Sequence, residues 1–161
     1  MASSKPFISP SFSYETLEET LDIKPKGAEL CIGIPKENSF NENRIALTPD
    51  AVGVMIANGH QVVVETKAGD GASYTDKDYS EAGAKIAYDK KEVFECDIIV
   101  KSAPVSEMEC ELLKPNQFII SPIHMAVMKR EILQKMMDKK ITALSFENLK
   151  DDSGHNPIVR S

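Results

Sequence analysis

The amino-acid sequence predicts an α/β fold in which a parallel sheet is flanked by helices, of the Rossmann-like or flavodoxin-like kind. Six short apolar runs alternate along the chain with segments in which apolar residues have helical spacing. The runs show little alternation of polar and apolar residues, which is typical of strands that a parallel sheet buries on both faces. The chain has 161 residues, about the length of one domain.

The predicted strands are short runs rich in valine and isoleucine. They cover residues 30–34, 61–65, 84–87, 98–100, 118–120 and 141–144. Pro35 follows the first run directly, and Pro122 comes shortly after the fifth. Because proline has no amide hydrogen to donate, it does not continue a central strand, and both prolines therefore mark strand ends.

Helix-capping residues lie between the predicted strands. Thr48 followed by Pro49 predicts the start of a helix that ends at Gly59. Thr75 starts a second, short helix that ends at Gly83. Further helices are predicted at residues 90–96, 106–113 and 127–139, whereas residues 69–71 and 151–161 are predicted to be loops.

Residues 1–28 differ in composition from the rest, with three prolines and frequent serine. Tyr14, Leu17 and Leu21 have helical spacing among acidic residues. We therefore expect an extended N-terminal arm with a short amphipathic helical segment. A floppy tail is the alternative.

Composition and charge exclude several classes of function. Nineteen lysine and arginine residues against twenty-five acidic residues give a net charge of −6, which does not fit a general nucleic-acid binder. No apolar run approaches the ~20 residues needed to span a bilayer. The N-terminus also lacks the apolar stretch of a secretory signal. We therefore expect no nucleic-acid partner and no membrane insertion by this segment.

The cysteines and glycines lack the spacing of known sites. Cys31, Cys96 and Cys110 are an odd number at wide spacing, which argues against a disulfide framework and a CxxC motif. We expect unpaired core or surface cysteines in a reducing cytoplasm. The sequence has no G-x-G-x-x-G, Walker A or H-E-x-x-H motif, so we expect neither a standard nucleotide loop nor a metal site in this chain.

Polar residues are concentrated between the first strand and the first helix, at residues 33–49. In an open α/β sheet such a loop lies at the carboxyl edge, where ligands bind. Arg44 precedes an apolar step in this loop, and a guanidinium held in this way suits a bidentate grip on a small carboxylate. An arginine that bridges surface acids is the alternative interpretation.

This loop resembles the opening motif of the alanine dehydrogenase and pyridine nucleotide transhydrogenase family. Other segments resemble further motifs of the family and occur in the same order along the chain, at residues 58–62, 68–76, 78–84, 96–101 and 121–126. The resemblance covers about residues 29–161. In that family this region is the first part of a substrate domain, and a separate Rossmann domain binds NAD. The resemblance therefore implies that residues 29–161 are the N-terminal part of the substrate domain and that the cofactor-binding domain is absent from this chain.

Alanine dehydrogenases convert L-alanine, NAD and water to pyruvate, ammonia and NADH. The resemblance implies that Arg44 holds the substrate carboxylate and that His124 handles the proton of imine hydrolysis. Histidine side chains suit such a role because they generally titrate near neutral pH. Glu37 and Glu147 are candidates for positioning Arg44 or Lys101, and ordinary solvated acids are the alternative.

The family's substrate lysine is harder to place. The family typically has K-V-K-E-P after the strand, with the second lysine in the site, whereas this chain has Lys101-Ser102-Ala103-Pro104. Lys101 takes the catalytic place if the gap falls before it. Otherwise Ala103 stands there and the lysine contact is lost.

The resemblance favours a fragment, inactive by itself, of an NAD-dependent alanine dehydrogenase-like enzyme that forms homo-oligomers and uses L-alanine and pyruvate. The alternatives are part of a proton-translocating transhydrogenase alpha subunit, a member of the related saccharopine or lysine-ketoglutarate reductase branch, and a non-catalytic module that binds a small carboxylate through Arg44. His124 favours the dehydrogenases, which need it. The shortened segment at Lys101 favours the transhydrogenase.

Overall fold

The structure, a computed structural model, describes residues 29–38, 42–125 and 128–156. The predicted N-terminal arm at residues 1–28 lies outside them, as do residues 39–41, 126–127 and 157–161. Strands and α-helices alternate in the order β1 (Cys31–Ile34), α1 (Pro49–Ala57), β2 (Gln61–Glu65), α2 (Asp76–Glu81), β3 (Lys85–Ala87), α3 (Lys90–Phe94), β4 (Ile98–Val100), α4 (Glu107–Leu112), β5 (Phe118–Ile120), α5 (Arg130–Asp138) and β6 (Thr142–Leu144). Asp70–Ala72 and Phe146–Asn148 form short 3-10 turns.

The strands form one parallel sheet in the order β3-β2-β1-β4-β5-β6. The predicted α/β fold class is thereby confirmed, and the strand order is that of the Rossmann fold rather than of flavodoxin. The connections that follow β1 and β4 run toward opposite edges of the sheet. The crevice at the carboxyl ends of these two strands is therefore the topological switch point, where ligands bind in open α/β sheets.

Each face of the sheet has its own apolar core, because successive side chains of a strand point to opposite faces. On one face, α1 and α2 pack against β1 and β2, and Ile34, Val64 and Tyr79 are completely buried. On the other face, α3, α4 and α5 pack against the sheet, with Phe94 and Ile119 almost completely buried. Both layers of helices are needed because a parallel sheet is apolar on both faces.

The sheet is covered unevenly on the α1 side. There, α1 and α2 contribute to a core with β1 and β2, which lie in one half of the sheet. In the other half, Phe118 of β5 is 52% exposed and Leu144 of β6 is 46% exposed. The strand β6 is exposed along its whole length. Within the described residues, none of the helices combines the length and the apolar character that a membrane crossing requires.

Most element boundaries agree with the predictions, and the predicted caps are present. The Thr48 hydroxyl accepts a hydrogen bond from the amide of Ala51 (3.4 Å) at the start of α1. The prediction for α5 is wrong at its start, because the helix begins at Arg130 instead of residue 127. Lys129 has an extended backbone (ψ 134°), which a helix cannot include. Part of the predicted loop at residues 69–71 is in fact a 3-10 turn.

The expectation that the cysteines are unpaired is wrong for two of them. Cys31 and Cys96 form a disulfide, with 4.8 Å between their Cα atoms, and Cys110 is free and buried. The two residues are 65 positions apart in the sequence. They meet because β1 and β4 are neighbours in the sheet, and the amide of Asp97 donates to the carbonyl of Cys31 (2.9 Å). Wide spacing in the sequence therefore did not argue against a pair.

Candidate active site

A cavity of about 810 Å³ lies along the α1 side of β1, β4 and β5. Its wall is mainly apolar, and it reaches the carboxyl edge of the sheet at the switch point. The residues that line it are Leu30, Ile32, Arg44, Ile45, Ala46, Leu47, Met55, His60, Ile98, Val100, Lys101, Ser102, Ile120 and Phe146. Two of the predicted site residues, Arg44 and Lys101, are thus brought to one cavity.

Lys101 follows β4 directly, and its side chain is held by two carboxylates. Its Nζ donates to Glu37 Oε2 (2.8 Å) and to Glu109 Oε1 (2.9 Å). The other oxygen of Glu37 accepts from the amides of Ser102 (2.6 Å) and Ala103 (3.2 Å). Lys101 is 2% exposed and its ammonium is paired with both carboxylates, so it is a buried charge rather than a mobile surface charge. Glu37 therefore contacts Lys101, and it ties the loop after β1 to the end of β4.

Glu109 is a site residue that the sequence analysis missed. It lies in the first turn of α4, where its Oε2 accepts from the amide (2.9 Å) and the hydroxyl (2.9 Å) of Ser106. Burial by itself raises the pKa of Glu109, but the charge of Lys101, the Ser106 amide and the charge of Lys90 together lower this pKa to about 2. The S-x-x-E capping pattern is visible in the sequence. It predicts a helix cap and not a contact with a buried lysine 8 positions away.

Arg44 presents an exposed guanidinium that already holds a carboxylate. Its Nε donates to Glu42 Oε1 (2.8 Å) and its Nη2 to Glu42 Oε2 (2.6 Å), which is the bidentate geometry expected for carboxylate binding. These hydrogen bonds lower the pKa of Glu42. A substrate carboxylate that used the same two nitrogens would have to displace Glu42. The opposite charge two positions before Arg44 was the signal available in the sequence.

His124 and Glu147 form a pair at the carboxyl edge of β5 and β6. The amide of His124 donates to Glu147 Oε1 (2.8 Å), and Nδ1 of His124 lies 2.9 Å from Glu147 Oε2. Burial raises the pKa of Glu147, but the His124 amide and the Ser145 hydroxyl outweigh it and lower the pKa overall. The hydrogen bond of this pair is made by the backbone amide of His124, whereas the imidazole contacts Glu147 at ion-pair distance. In the structure Glu147 binds His124, and not Arg44 or Lys101 as anticipated.

The structure does not bring all of the predicted residues to one wall. His124 and Glu147 do not line the cavity, but Phe146, next to Glu147 in the chain, does. The pair is thus connected to the cavity wall through Phe146. Chemically, the cavity is lined by two cationic residues, Arg44 and Lys101, each paired with carboxylates of the chain, and a histidine lies near it in contact with Glu147.

Comparison with known proteins identifies the family of this chain. Residues 33–161 match the family described as "Alanine dehydrogenase/PNT, N-terminal domain". The chain belongs to this family. Alanine dehydrogenase of Staphylococcus epidermidis is 34% identical over 128 residues, which are 80% of this chain and 34% of that protein. Alanine dehydrogenase of Bacillus subtilis is 36% identical over 122 residues, 76% of this chain and 32% of that protein.

Solved structures of the alanine dehydrogenase/PNT family are similar to the fold described here. An L-alanine dehydrogenase superimposes with a TM-score of 0.76 at 31% identity, over 80% of this chain and 35% of that chain. A transhydrogenase from Sinorhizobium meliloti superimposes with a TM-score of 0.65 at 26% identity, over 73% of this chain and 35% of that chain. The chain spans about a third of the length of these relatives. The similarity shows that the chain is related to oxidoreductases.

The residues of this family member do not fit a dinucleotide at the switch point. In Rossmann nucleotide sites the pyrophosphate lies on a glycine-rich turn between β1 and the first helix. Here that connection, residues 35–48, contains no glycine. The carboxylates of Glu37 and Glu65 also lie at this edge, where they repel a phosphate. The described residues therefore offer no cradle for the phosphates of NAD.

Proposed function

We propose that residues 29–161 are the N-terminal part of the substrate domain of an NAD-dependent alanine dehydrogenase-like enzyme, preceded by an N-terminal arm at residues 1–28. The longer enzyme would convert L-alanine, NAD and water to pyruvate, ammonia and NADH. The observation that carries the proposal is the His124–Glu147 pair, with 2.8 Å from the His124 amide to Glu147 Oε1. A histidine held by a carboxylate beside a cavity with two cations suits amino-acid oxidation better than hydride exchange between nucleotides, which needs no proton carrier for an imine.

Each residue has a separate part in this proposal. Arg44 binds the substrate carboxylate, in the geometry that it now uses for Glu42. Lys101 holds the carboxylate and the carbonyl oxygen at the cavity wall. Glu147 holds the backbone of His124 through its amide, and the imidazole of His124 takes or returns a proton. NAD would supply the hydride acceptor, and since the connection after β1 has no glycine-rich turn for its phosphates, we assign the cofactor-binding domain to another part of a longer protein.

Further properties follow from the resemblance and remain predictions. We expect the longer enzyme to act on a small molecule, to be located in the cytoplasm and to form a homo-oligomer. We also expect the 161-residue chain to be inactive by itself, since it holds the substrate side of the reaction alone. NADH formation from L-alanine by this chain would contradict the expectation that it is inactive by itself.

The decisive experiment measures NADH formation by the longest natural product of the gene. The substrates are L-alanine, L-lysine and saccharopine, with a reaction without substrate as the blank. Turnover specific to L-alanine supports the proposal. Turnover with lysine or saccharopine assigns the protein to the neighbouring branch of the family.

A matched pair of histidine variants tests the role of His124. Loss of a positioned proton carrier typically lowers the rate by ~10²–10⁴-fold, and we expect this for His124→Ala in the longer enzyme. The side chain of His124 is 54% exposed, so the melting temperature should change little. His155→Ala is the control, because that histidine is more exposed (83%) and lies in a terminal turn. Equal rates for the two variants would make His124 structural.

A transhydrogenase part is the second candidate function, and one observation favours it. If the gap in this segment falls after Lys101, Ala103 stands where the family's dehydrogenases have their second lysine, and its amide donates to Glu37 (3.2 Å). Bound NADH without turnover of any amino acid would support this candidate. A non-catalytic carboxylate-binding module would instead bind pyruvate in the absence of NAD and lose it in Arg44→Met.

A further inference from the structure

Glu109 is a buried carboxylate for which the proposed reaction has no use. It is 2% exposed, although it lies on α4, a helix of six residues in which an acid in the first turn usually faces solvent. Its two oxygens have separate partners. Oε2 caps the helix through Ser106, and Oε1 accepts from Lys101 (2.9 Å) and Lys90 (3.1 Å).

Lys90 extends this contact to the loop after β1. Its Nζ donates to the carbonyl of Lys36 (2.9 Å) and lies 3.6 Å from Glu65 Oε2. The same oxygen of Glu65 accepts from the amide of Lys36 (2.8 Å). The backbone of Lys36 is therefore held on both sides, directly before Glu37 and in the loop that leads to Arg44.

This cluster contains three carboxylates, those of Glu37, Glu65 and Glu109, against the two ammonium groups of Lys90 and Lys101. Facing Lys101 are Glu37 from the loop after β1 and Glu109 from α4, and Lys90 from α3 shares Glu109. Glu37 belongs to the loop that is being positioned, so it cannot by itself fix that loop relative to the sheet. Glu109 can, because it is anchored to the first turn of a helix. Neutralising Glu109 removes the one carboxylate oxygen that accepts from both Lys101 and Lys90, and leaves each lysine with a partner from the strand edge or the loop.

We propose that Glu109 is a positioning residue of the candidate active site: it fixes the ammonium of Lys101, a residue that lines the cavity, and, through Lys90, holds the loop that leads to Arg44. This inference rests on the proposed function, in which Lys101 and Arg44 contact the substrate. It assigns to the start of α4 a part in substrate binding. An ordinary capping residue would have no such part.

The variant Glu109→Gln separates positioning from folding, since glutamine also serves in the capping box and keeps the side-chain length. Glu107→Gln is the control on the same helix, because Glu107 has only a 3.9 Å contact with Lys129. In the longer enzyme we expect kcat/KM for L-alanine to fall ~10–100-fold in Glu109→Gln, the range for a misplacement of about 1 Å. KM for L-alanine should rise while KM for NAD is unchanged. A merely structural role would reduce the amount of active enzyme and leave both KM values as they were.

A second measurement does not depend on turnover. In the 161-residue chain, the ¹H–¹⁵N signal of the buried Lys101 ammonium should be visible in the unchanged protein and in Glu107→Gln, and lost or clearly shifted in Glu109→Gln. An unaltered ammonium signal in Glu109→Gln, or an unaltered KM for L-alanine, would overturn the inference. If the unchanged enzyme does not oxidise L-alanine at all, the proposed function fails, and the ammonium signal still decides whether Glu109 positions Lys101.

Discussion

At the scale of single residues, Glu109 should make the stability of the chain depend on pH. Its pKa is about 2 in the folded state, against a usual value of 4.5. A lowered carboxyl pKa contributes stability that is complete above the usual value and is lost as the pH falls through the folded value. We therefore expect the unfolding free energy to fall between about pH 4.5 and pH 2 by an amount on the order of 3 kcal/mol.

Urea unfolding of Glu109→Gln and of the unchanged chain between pH 7 and pH 2.5 checks this expectation. The variant lacks the titrating group, so the difference in unfolding free energy between the two proteins should shrink as the pH is lowered. Glu107→Gln should show the same pH dependence as the unchanged chain, because Glu107 lies on the surface of the same helix. A difference that stays constant with pH would show that Glu109 does not contribute through its charge.

The sequence could predict which residues bear the chemistry, but not how they are paired. Arg44, Lys101 and His124 are candidates because the loops after three predicted strands resemble the family's motifs. The contact between Lys101 and Glu109 depends on where α4 packs, and the disulfide of Cys31 depends on which strand becomes its neighbour. Neither fact is contained in the local pattern, since strand order is decided by packing of the whole sheet.

At the scale of elements, β1 and α3 approach each other closely at Gly33. A Cβ at this position would lie 2.4 Å from the carbonyl oxygen of Val93 and 2.9 Å from Cδ1 of Ile99. The first of these atoms belongs to the backbone of α3 and cannot move without moving the helix. We expect Gly33→Ala to lower the unfolding free energy by about 1–3 kcal/mol, the range for overpacking.

Gly53→Ala is the matched control for Gly33→Ala. Gly53 lies inside α1, and a Cβ there would find its nearest neighbour, the carbonyl oxygen of Ala82, at 4.0 Å. Because alanine favours a helix more than glycine, this variant should gain about 0.5–1 kcal/mol. Chemical denaturation of both variants measures whether each substitution raises or lowers the unfolding free energy. A loss of stability in Gly53→Ala, or none in Gly33→Ala, would mean that the packing of α1 and α3 differs from that described.

Element boundaries were predictable where a side chain decides them locally. Thr48 and Thr75 both cap the helices that they were expected to cap. The start of α5 was not predictable, because Met128 continues the apolar spacing of the helix while the backbone of Lys129 is extended. Spacing alone cannot show that the chain first makes a turn, in which the amide of Met128 donates to the carbonyl of His124 (3.1 Å).

At the scale of the whole molecule, the alternation of strands and helices was sufficient to predict a parallel sheet with helices on both faces. It was not sufficient to predict the strand order. The Rossmann and flavodoxin folds differ in strand order, and no local sequence pattern indicates which order is formed. The uneven covering of the sheet by helices could not be predicted from the sequence either. Each strand reads as apolar whether or not a helix of the same chain covers it.

The uncovered half of the sheet should make this chain bind hydrophobic probes while it is folded. Phe118, Ile120 and Leu144 follow one another on one face across β5 and β6, because Ile120 pairs with Leu144 in the register of these strands. Apolar patches of this kind are uncommon on monomeric proteins and bind other apolar surfaces. We expect the 161-residue chain to enhance the fluorescence of anilinonaphthalene sulfonate under native conditions. We also expect the double variant Phe118→Lys, Leu144→Lys to lose most of that signal.

The control for this prediction is Val54→Lys, because Val54 is equally exposed (58%) but lies on α1, away from the patch. If the signal came from scattered apolar residues or from partial unfolding, Val54→Lys would reduce it as much as the double variant does. If the signal is absent from the unchanged chain, the half-sheet must be covered in solution, by the chain's own flanking residues or by a second copy. Sedimentation at several protein concentrations separates these two outcomes, because only association of copies depends on concentration.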